Sequence, residues 1–381
     1  MSGRDKTRKR RVALVLQGGG ALGAYQAGVY EALHRHHVVP DWVVGTSIGA
    51  INAALIAGNP PQARVARLRE FWRGVACDDA LDLRNAPDAL RRYSTWLTTL
   101  GTVAQGVPGF FAPRVPGAFA AGLSVPPQAA SFYDTDALAA TLERLVDFKH
   151  LASPEAMRLT VAAVQVTTGK LVSFDSAHQS LSAQHVMASG ALPPGFPPVR
   201  IDAELYWDGG LYSNTPLELV LEDEPRCDTL CFMVELWRGD GPEPRSLGEV
   251  QTRQKDIVFA SRSTRHIEAY RRLHDLRHAV RALYAALPAE RRDAPALRKF
   301  GAVGCGTTMH IVRLIYPGHD WKMASKDVNF SRGSLEWRWQ QGLRDAERVL
   351  AQAPWLAPVA PDAGVVVHEP TAEQSRGPND S

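Results

Sequence analysis

An α/β fold with parallel strands is the class this sequence predicts, and three features of residues 12–58 predict it. Val12–Leu16 is a short continuous apolar run of the kind that forms a buried strand. Ala24–His36 carries Tyr25, Val29 and Leu33 four apart, one face of a helix. Val38–Val44 is a second apolar run, with Pro40 near its start, and Ile48–Gly58 again reads as helix. The order strand, loop, helix, strand, turn, helix makes the two strands parallel.

The two connecting loops carry the chemistry. The second is Gly45-Thr46-Ser47-Ile48-Gly49, a G-x-S-x-G at a strand-to-helix turn, where such a motif lifts a nucleophilic serine clear of the sheet. Gly45 and Gly49 suit a turn with unusual dihedrals and close strand–helix contact. The motif alone is equally compatible with a glycine-rich turn whose serine caps the helix. The first loop holds G-x-G-x-x-G at Gly18, Gly20 and Gly23, with Gly19 between. A dinucleotide site would want an acid at the end of the second strand. That strand ends at Gly45-Thr46-Ser47, and the nearest acid, Asp41, precedes the apolar run. A G-K-[ST] phosphate loop is absent. Successive glycines before a helix can instead aim backbone N–H groups at one point. A serine acyl-transfer enzyme needs such donors for its oxyanion, each worth roughly 2.7–4 kcal/mol of barrier.

Asn59–Ala130 changes character. Ala63–Arg73 is an amphipathic helix, and Leu90–Gly122 sets Trp96, Phe110, Phe111 and Phe119 among Pro108, Pro113 and Pro116. This insertion reads either as a lid or apolar lipid-admitting surface, or as a satellite core under a long loop. Asp134–Val146 is helical. Leu159–Val166 and Leu171–Phe174 are strands around a turn at Thr167–Lys170, and His185–Ser189 begins a short helix. Ala191–Pro198 is a proline-rich rigid loop. It leads to a strand over Ile201–Trp207 and then to Asp208-Gly209-Gly210. Asp-Gly alone is a common turn.

Beyond residue 237, Arg253–Leu287 reads as one long basic helical stretch and Met309–Tyr316 as a strand. Ser325–Arg332 leads into a helix ending near Ala353, and the proline-rich polar tail reads as disordered. The expected organisation is a basic disordered arm over 1–11, a catalytic domain over 12–237 with the insertion at 59–130, a helical extension over 238–353 and a disordered tail over 354–381.

The net charge of +3 in 381 residues is too small to imply a nucleic-acid partner. Much of the excess lies in Arg4, Lys6, Arg8, Lys9, Arg10 and Arg11, an arm that reads as solvated or as attracted to anionic lipid headgroups. Val12–Leu16 is too short for the apolar core of a signal peptide. Tyr93–Pro113 is uncharged but studded with Thr, Gln, Gly and Pro, so no transmembrane helix is expected. Cys77, Cys227, Cys231 and Cys305 have no C-x-x-C spacing, which gives no zinc or redox signal. A cytoplasmic protein with reduced thiols, peripheral at membranes at most, is the expectation.

As a set, Gly18-Gly19-Gly20-Ala21-Leu22-Gly23, Gly45-Thr46-Ser47-Ile48-Gly49 and Asp208-Gly209-Gly210 resemble the patatin-like phospholipase family over residues 12–237. The Ala188-Ser189 to Pro198 loop and Asn214-x-Pro216 look like family features too, and the region after 237 is similar to the extension of a bacterial subgroup. The resemblance implies a three-layer α/β/α sandwich around a mainly parallel sheet, akin to cytosolic phospholipase A2. It implies a Ser-Asp dyad without histidine, metal or cofactor. By position Ser47 is the nucleophile, Asp208 the proton acceptor, and Gly18, Gly19 and Gly20 the oxyanion donors; Gly23, Gly45, Gly49, Gly209 and Gly210 complete the motifs. The substrate implied is a lipid or other acyl ester. Leu22 departs from the Arg or Lys frequent in the family, which favours a less charged ester. Three rival readings stand beside this one: a Ser-His-Asp triad using His266, His310 or His319; a short-chain esterase or thioesterase; and a non-catalytic lipid-binding module. The 27-residue spacing from Gly20 to Ser47 is short for an α/β-hydrolase glycine loop.

Overall fold

A computed structural model describes residues 10–78, 101–102, 104–114, 124–260, 263–318, 326–360 and 363–369. Its strands are β1 (Arg11–Leu16), β2 (Trp42–Gly45), β3 (Ala112–Pro113), β4 (Tyr133–Asp134), β5 (Arg158–Gln165), β6 (Leu171–Asp175), β7 (Val199–Ile201), β8 (Glu204–Asp208), β9 (Thr229–Glu235), β10 (Met309–Ile315) and β11 (Val365–His368). The helices are α1 (Ala24–Arg35), α2 (Ile48–Ala57), α3 (Arg64–Gly74), α4 (Asp136–Leu145), α5 (Phe148–Leu151), α6 (Ala183–Ser189), α7 (Leu217–Leu221), α8 (Leu247–Ala260), α9 (Ser263–Ala286), α10 (Ala289–Arg292), α11 (Pro295–Val303) and α12 (Arg332–Gln352).

One sheet organises the chain, in the order β11-β10-β9-β1-β2-β5-β8-β7, with β6 also on β5. The strands from β11 to β5 are parallel, as continuous apolar runs buried on both faces require. Alternation along β1 builds two cores. Leu14 and Leu16 face a core with α1, α2 and α12, whereas Ala13 and Val15 face a second core with α7 and α9. This is the three-layer α/β/α sandwich. Helices α1 and α12 cross backbone to backbone: a Cβ on Gly28 would lie 1.9 Å from the Trp339 carbonyl oxygen, and one on Gly342 would lie 2.0 Å from that of Tyr25.

The strand β5 positions the site. Its first half, Arg158–Val161, pairs in parallel with β2, and its end, Ala163–Gln165, pairs antiparallel with β8. Since β6 holds the opposite edge over Thr160–Val164, β2 and β8 share one edge and meet head to head. Their C-terminal ends, at Gly45 and Asp208, therefore converge.

Several expectations are corrected. The β2 strand starts at Trp42 rather than Val38, because Pro40 has no N–H to pair and the Asp41 carboxylate accepts the Val12 N–H at 2.8 Å. The single strand expected over Ile201–Trp207 is a hairpin of β7 and β8, turned at Asp202 with φ 52°. The long basic stretch is helical on both sides of residues 261 and 262, over α8 and α9. Arg11, expected in the disordered arm, opens β1; its guanidinium bonds Asp223 and Cys227, and Arg11 and Arg158 both lie over the Trp42 ring. The tail expected to be disordered from 354 includes a helical turn over Pro354–Leu356 and the edge strand β11. Three consecutive valines supply strand propensity that the polar average of the tail conceals. The extension also joins the main sheet through β10, on which β11 of the tail pairs. The four cysteines are free thiols. Among the described residues, no helix is long and apolar enough to cross a membrane. Trp96, Pro116, Phe119 and most of the basic arm lie outside the described residues.

Candidate active site

Ser47 sits between β2 and α2 with φ 57° and ψ −127°, a conformation non-glycine residues avoid. The surrounding contacts enforce it. Its N–H donates to the Ser189 carbonyl at 3.0 Å, and the Ser189 hydroxyl donates to the Ala162 carbonyl at 2.6 Å. A Cβ on Gly45 would meet the Gly49 carbonyl oxygen at 2.3 Å, and one on Gly49 would meet the Leu16 carbonyl oxygen at 2.3 Å. The turn therefore accepts no side chain at either glycine. The Ser47 hydroxyl makes no capping bond to α2 and is left for another partner.

That partner is Asp208. Its carboxylate lines the same cavity as Ser47, near enough for the Ser47 hydroxyl to favour its charged form, and it accepts a hydrogen bond from the Gly210 N–H at 2.7 Å. Asp208 is 2% exposed. Burial raises its pKa to about 7, against the Ser47 hydroxyl and the Gly210 N–H, which favour the charged form. The backbone is fixed by the Asp208 N–H donating to Ala191 at 3.0 Å, and a Cβ on Gly209 would strike the Ala162 carbonyl oxygen at 2.4 Å.

The glycine loop faces this pair. Gly18 is clamped: its N–H donates to the Asn214 carbonyl at 3.0 Å, and its carbonyl accepts from Asn214 Nδ2 at 3.1 Å and Trp237 Nε1 at 2.7 Å. A Cβ there would lie 3.1 Å from the Ser47 Cβ. Of the three glycines expected as oxyanion donors, Gly18 thus spends its N–H on Asn214. Gly19 is extended, and Gly20 takes φ 54° against the Asp327 carbonyl. Gly23 packs on Ile48, the first residue of α2, whose N–H points out of the helix start. Leu22 is fully buried and brings no charge.

A buried amide network underlies the loop. Gln17 Nε2 bonds Thr215 Oγ1 at 2.7 Å, and the Gln17 carbonyl accepts from Gln26 Nε2 at 2.7 Å. Asn52 Nδ2 bonds the Gly23 carbonyl and Gln26 Oε1, both at 2.9 Å, while Trp72 Nε1 donates to Asn52 Oδ1 at 3.0 Å. Sequence reasoning passed over these residues. The available signal was Asn52, a lone amide in the otherwise apolar helix Ile48–Ala57.

Above Ser47 opens a cavity of about 290 Å³. Its walls are Phe110, Phe111, Tyr133, Phe196 and Phe330, with Phe111 centred 4.9 Å from Tyr133 and 5.2 Å from Phe196. The insertion therefore supplies two buried rings that are core and cavity wall at once. The C-terminal region supplies Phe259, Asp327, Val328 and Phe330. The buried Arg338 of α12 holds that last segment by donating to the Lys326 and Asn329 carbonyls at 2.9 and 3.0 Å. Among the described residues, no Lys, Arg or His lines the cavity. His310 lies at the opposite edge of the sheet, stacked with His368. His266 faces Glu218, and His319 lies outside the described residues. Among the described residues, the acids that line the cavity are Asp208 and Asp327.

A family model described as patatin-like phospholipase matches residues 14–221, and one described as patatin phospholipase matches residues 257–362. The first covers more than half of the chain, so the chain belongs to the patatin-like phospholipase family. An uncharacterized NTE family protein of Mycobacterium tuberculosis is 30% identical over 216 residues, 56% of this chain and 29% of that protein. A lysophospholipase of Aspergillus terreus is 54% identical over 48 residues, 13% of this chain and 3% of that enzyme. This chain thus spans less than a third of the length of these relatives. Among solved structures, VipD from Legionella pneumophila aligns with 97% of this chain and 74% of its own at 16% identity, with a TM-score of 0.40.

Proposed function

We propose that this chain is a serine-dependent lipid acyl hydrolase, acting on carboxylic esters of the phospholipase A or lysophospholipase type through a Ser47–Asp208 dyad. One observation carries the proposal: Ser47, held on a strained elbow, shares a cavity with the buried Asp208 carboxylate, whose pKa burial raises to about 7. An ordinary carboxylate is too weak a base for a serine hydroxyl, and burial narrows that mismatch. A module that only bound lipid would have no use for such a pair.

In the first step the Ser47 proton passes to Asp208 as Oγ attacks the ester carbonyl carbon. The oxyanion forms against the N–H groups of Gly19, Gly20 and Ile48, while Gly18 holds the loop in register. The tetrahedral intermediate collapses, the C–O bond to the alcohol breaks, and Asp208 returns its proton to the departing oxygen. Water then attacks the Ser47 acyl ester with Asp208 again accepting the proton; the C–Oγ bond breaks, Asp208 returns the proton to Ser47 Oγ, and the fatty acid leaves. The aromatic cavity takes the acyl chain. Leu22, in place of a cation, favours an uncharged group beside the scissile bond. The action is cytoplasmic, with peripheral contact at lipid surfaces.

The test is fluorophosphonate labelling of the folded chain, followed by hydrolysis of esters graded in acyl length and headgroup. Labelling at Ser47, absent in Ser47→Ala, with preference for long acyl chains is the expected result. Folded protein that resists the probe favours the lipid-binding module, and preference for short acyl esters favours an esterase.

A further inference from the structure

A second constellation lies at the far edge of the sheet from Ser47, and the hydrolytic reading makes no use of it. His274 and His278 stand four apart on α9, one turn of one helix face. Cys305 reaches them from the segment between α11 and β10. All three are buried, and one ligand atom from each lies within 4.8 Å of the others.

The imidazoles are prepared for a ligand. Nε2 of His274 and Nε2 of His278 both lie on the Thr307 carbonyl oxygen, at 2.9 and 2.8 Å. A carbonyl only accepts, so both Nε2 atoms carry the proton and both Nδ1 atoms keep a lone pair. Metal-bound histidines are held this way, with the other ring nitrogen donating to a carbonyl. His274 is 1% exposed, and its Nδ1 is buried without a hydrogen-bond partner, an arrangement that costs about 1–3 kcal/mol when nothing fills it. The ring has little freedom to escape: a Cβ on Gly364 would lie 2.3 Å from its Cδ2.

We infer that His274, His278 and Cys305 form a binding site for a divalent transition metal, with Zn²⁺ the ion its donors suit best. Two imidazole nitrogens and one thiolate are a borderline-soft set of the kind zinc takes tetrahedrally. Bonds of about 2.0–2.3 Å would place the ligand atoms about 3.4–3.6 Å apart, so binding needs a contraction of about 1 Å from the present spacing. The Cys305 S–H bond gives up its proton to solvent as the S–Zn bond forms. Three protein ligands leave a fourth position. It opens toward a cavity of about 790 Å³ lined by His278 and Cys305, with Asp275, Arg271 and Arg281, and a water fills it. The ion ties α9 to the segment that leads into β10, and so to the sheet.

The inference does not depend on the hydrolase reading, and its test does not measure hydrolysis. The full chain is stripped with chelator and titrated with Co²⁺ alone, then with Zn²⁺ alone. The wild type binds one Co²⁺ per chain with a thiolate-to-cobalt charge-transfer band that Zn²⁺ abolishes, and Zn²⁺ raises its melting temperature. Cys305→Ser, nearly isosteric, loses the band and binds Zn²⁺ at least tenfold more weakly while its metal-free form melts with the wild type. His274→Asn weakens binding likewise. No charge-transfer band at saturating Co²⁺, or unchanged Zn²⁺ affinity in Cys305→Ser, overturns the inference.

Discussion

Replacing Asp208 with asparagine should destroy activity and stabilise the protein, with a pH dependence that identifies the cause. Asp208 titrates near 7 in the folded chain because burial disfavours its charge, against 3.8 as its ordinary value. Between those two values the folded state binds a proton that the unfolded state does not. Stability therefore falls as pH rises from about 4 to about 7, by about 1.4 kcal/mol per pH unit. The rise from 3.8 to about 7 corresponds to about 4 kcal/mol above pH 7, a ceiling that water entering the cavity would lower. The asparagine carries no charge, keeps an acceptor for the Gly210 N–H, and escapes this cost. Urea unfolding at pH 4, 6 and 8 should show Asp208→Asn nearly equal to wild type at pH 4 and progressively more stable toward pH 8. Ester hydrolysis by the wild type should rise with pH through a midpoint near 7, as the base form appears, and the variant should lose about 10²–10⁴-fold in kcat. A stability difference that stays constant with pH, or a wild-type rate flat from pH 5 to 8, refutes both the raised pKa and the role drawn from it.

Gly20→Ala combines a φ of 54° with a Cβ 2.2 Å from the Asp327 carbonyl oxygen; the loop must move, and each oxyanion donor lost should lower kcat by about 10²–10³-fold, read from single-turnover hydrolysis of an activated ester. His310→Ala and His266→Ala should retain near wild-type hydrolysis, since neither lines the Ser47 cavity; a strong loss in either, with Asp208→Asn still active, would restore a histidine triad. Phe330→Ala should raise KM for long acyl esters more than for short ones by opening the aromatic wall, and an equal change across chain lengths would place the acyl chain elsewhere. It should also destabilise the fold by about 3–5 kcal/mol, measured by urea unfolding.

The sandwich and the three loops were legible because their signals are local. A buried parallel strand is a continuous apolar run, and a nucleophile elbow needs glycines at fixed offsets from one serine. Partners distant in sequence left no such trace. Asn214 clamps Gly18 through backbone and side chain at a separation of 196 residues, and neither residue's neighbourhood announces the other. The strand expected over Ile201–Trp207 became a hairpin for a related reason. Asp202 in a left-handed conformation makes the turn, and an aspartate inside an apolar run does not by itself declare one.

The C-terminal region had no readable chemistry in sequence because its contribution is made through geometry. Gly20 holds φ 54° with the Asp327 carbonyl standing where a Cβ would be. That carbonyl belongs to a segment whose flanks, Lys326 and Asn329, are held by the fully buried Arg338. Helix α12, which carries Arg338, packs against α1 through Gly28 and Gly342, and α1 begins directly after the glycine loop. The loop is thus gripped from both sides by one structural circuit that closes only when residues 326–352 are in place. Truncating the chain after residue 237 would leave Ser47 and Asp208 in the sequence. It would remove the wall behind Gly20, strands β10 and β11 of the sheet, and the part of the cavity wall built by Phe259, Val328 and Phe330. On this argument the extension is part of the site, and its phenylalanines and Arg338 belong with the proposed Ser47–Asp208 pair in any account of the esters proposed as substrates.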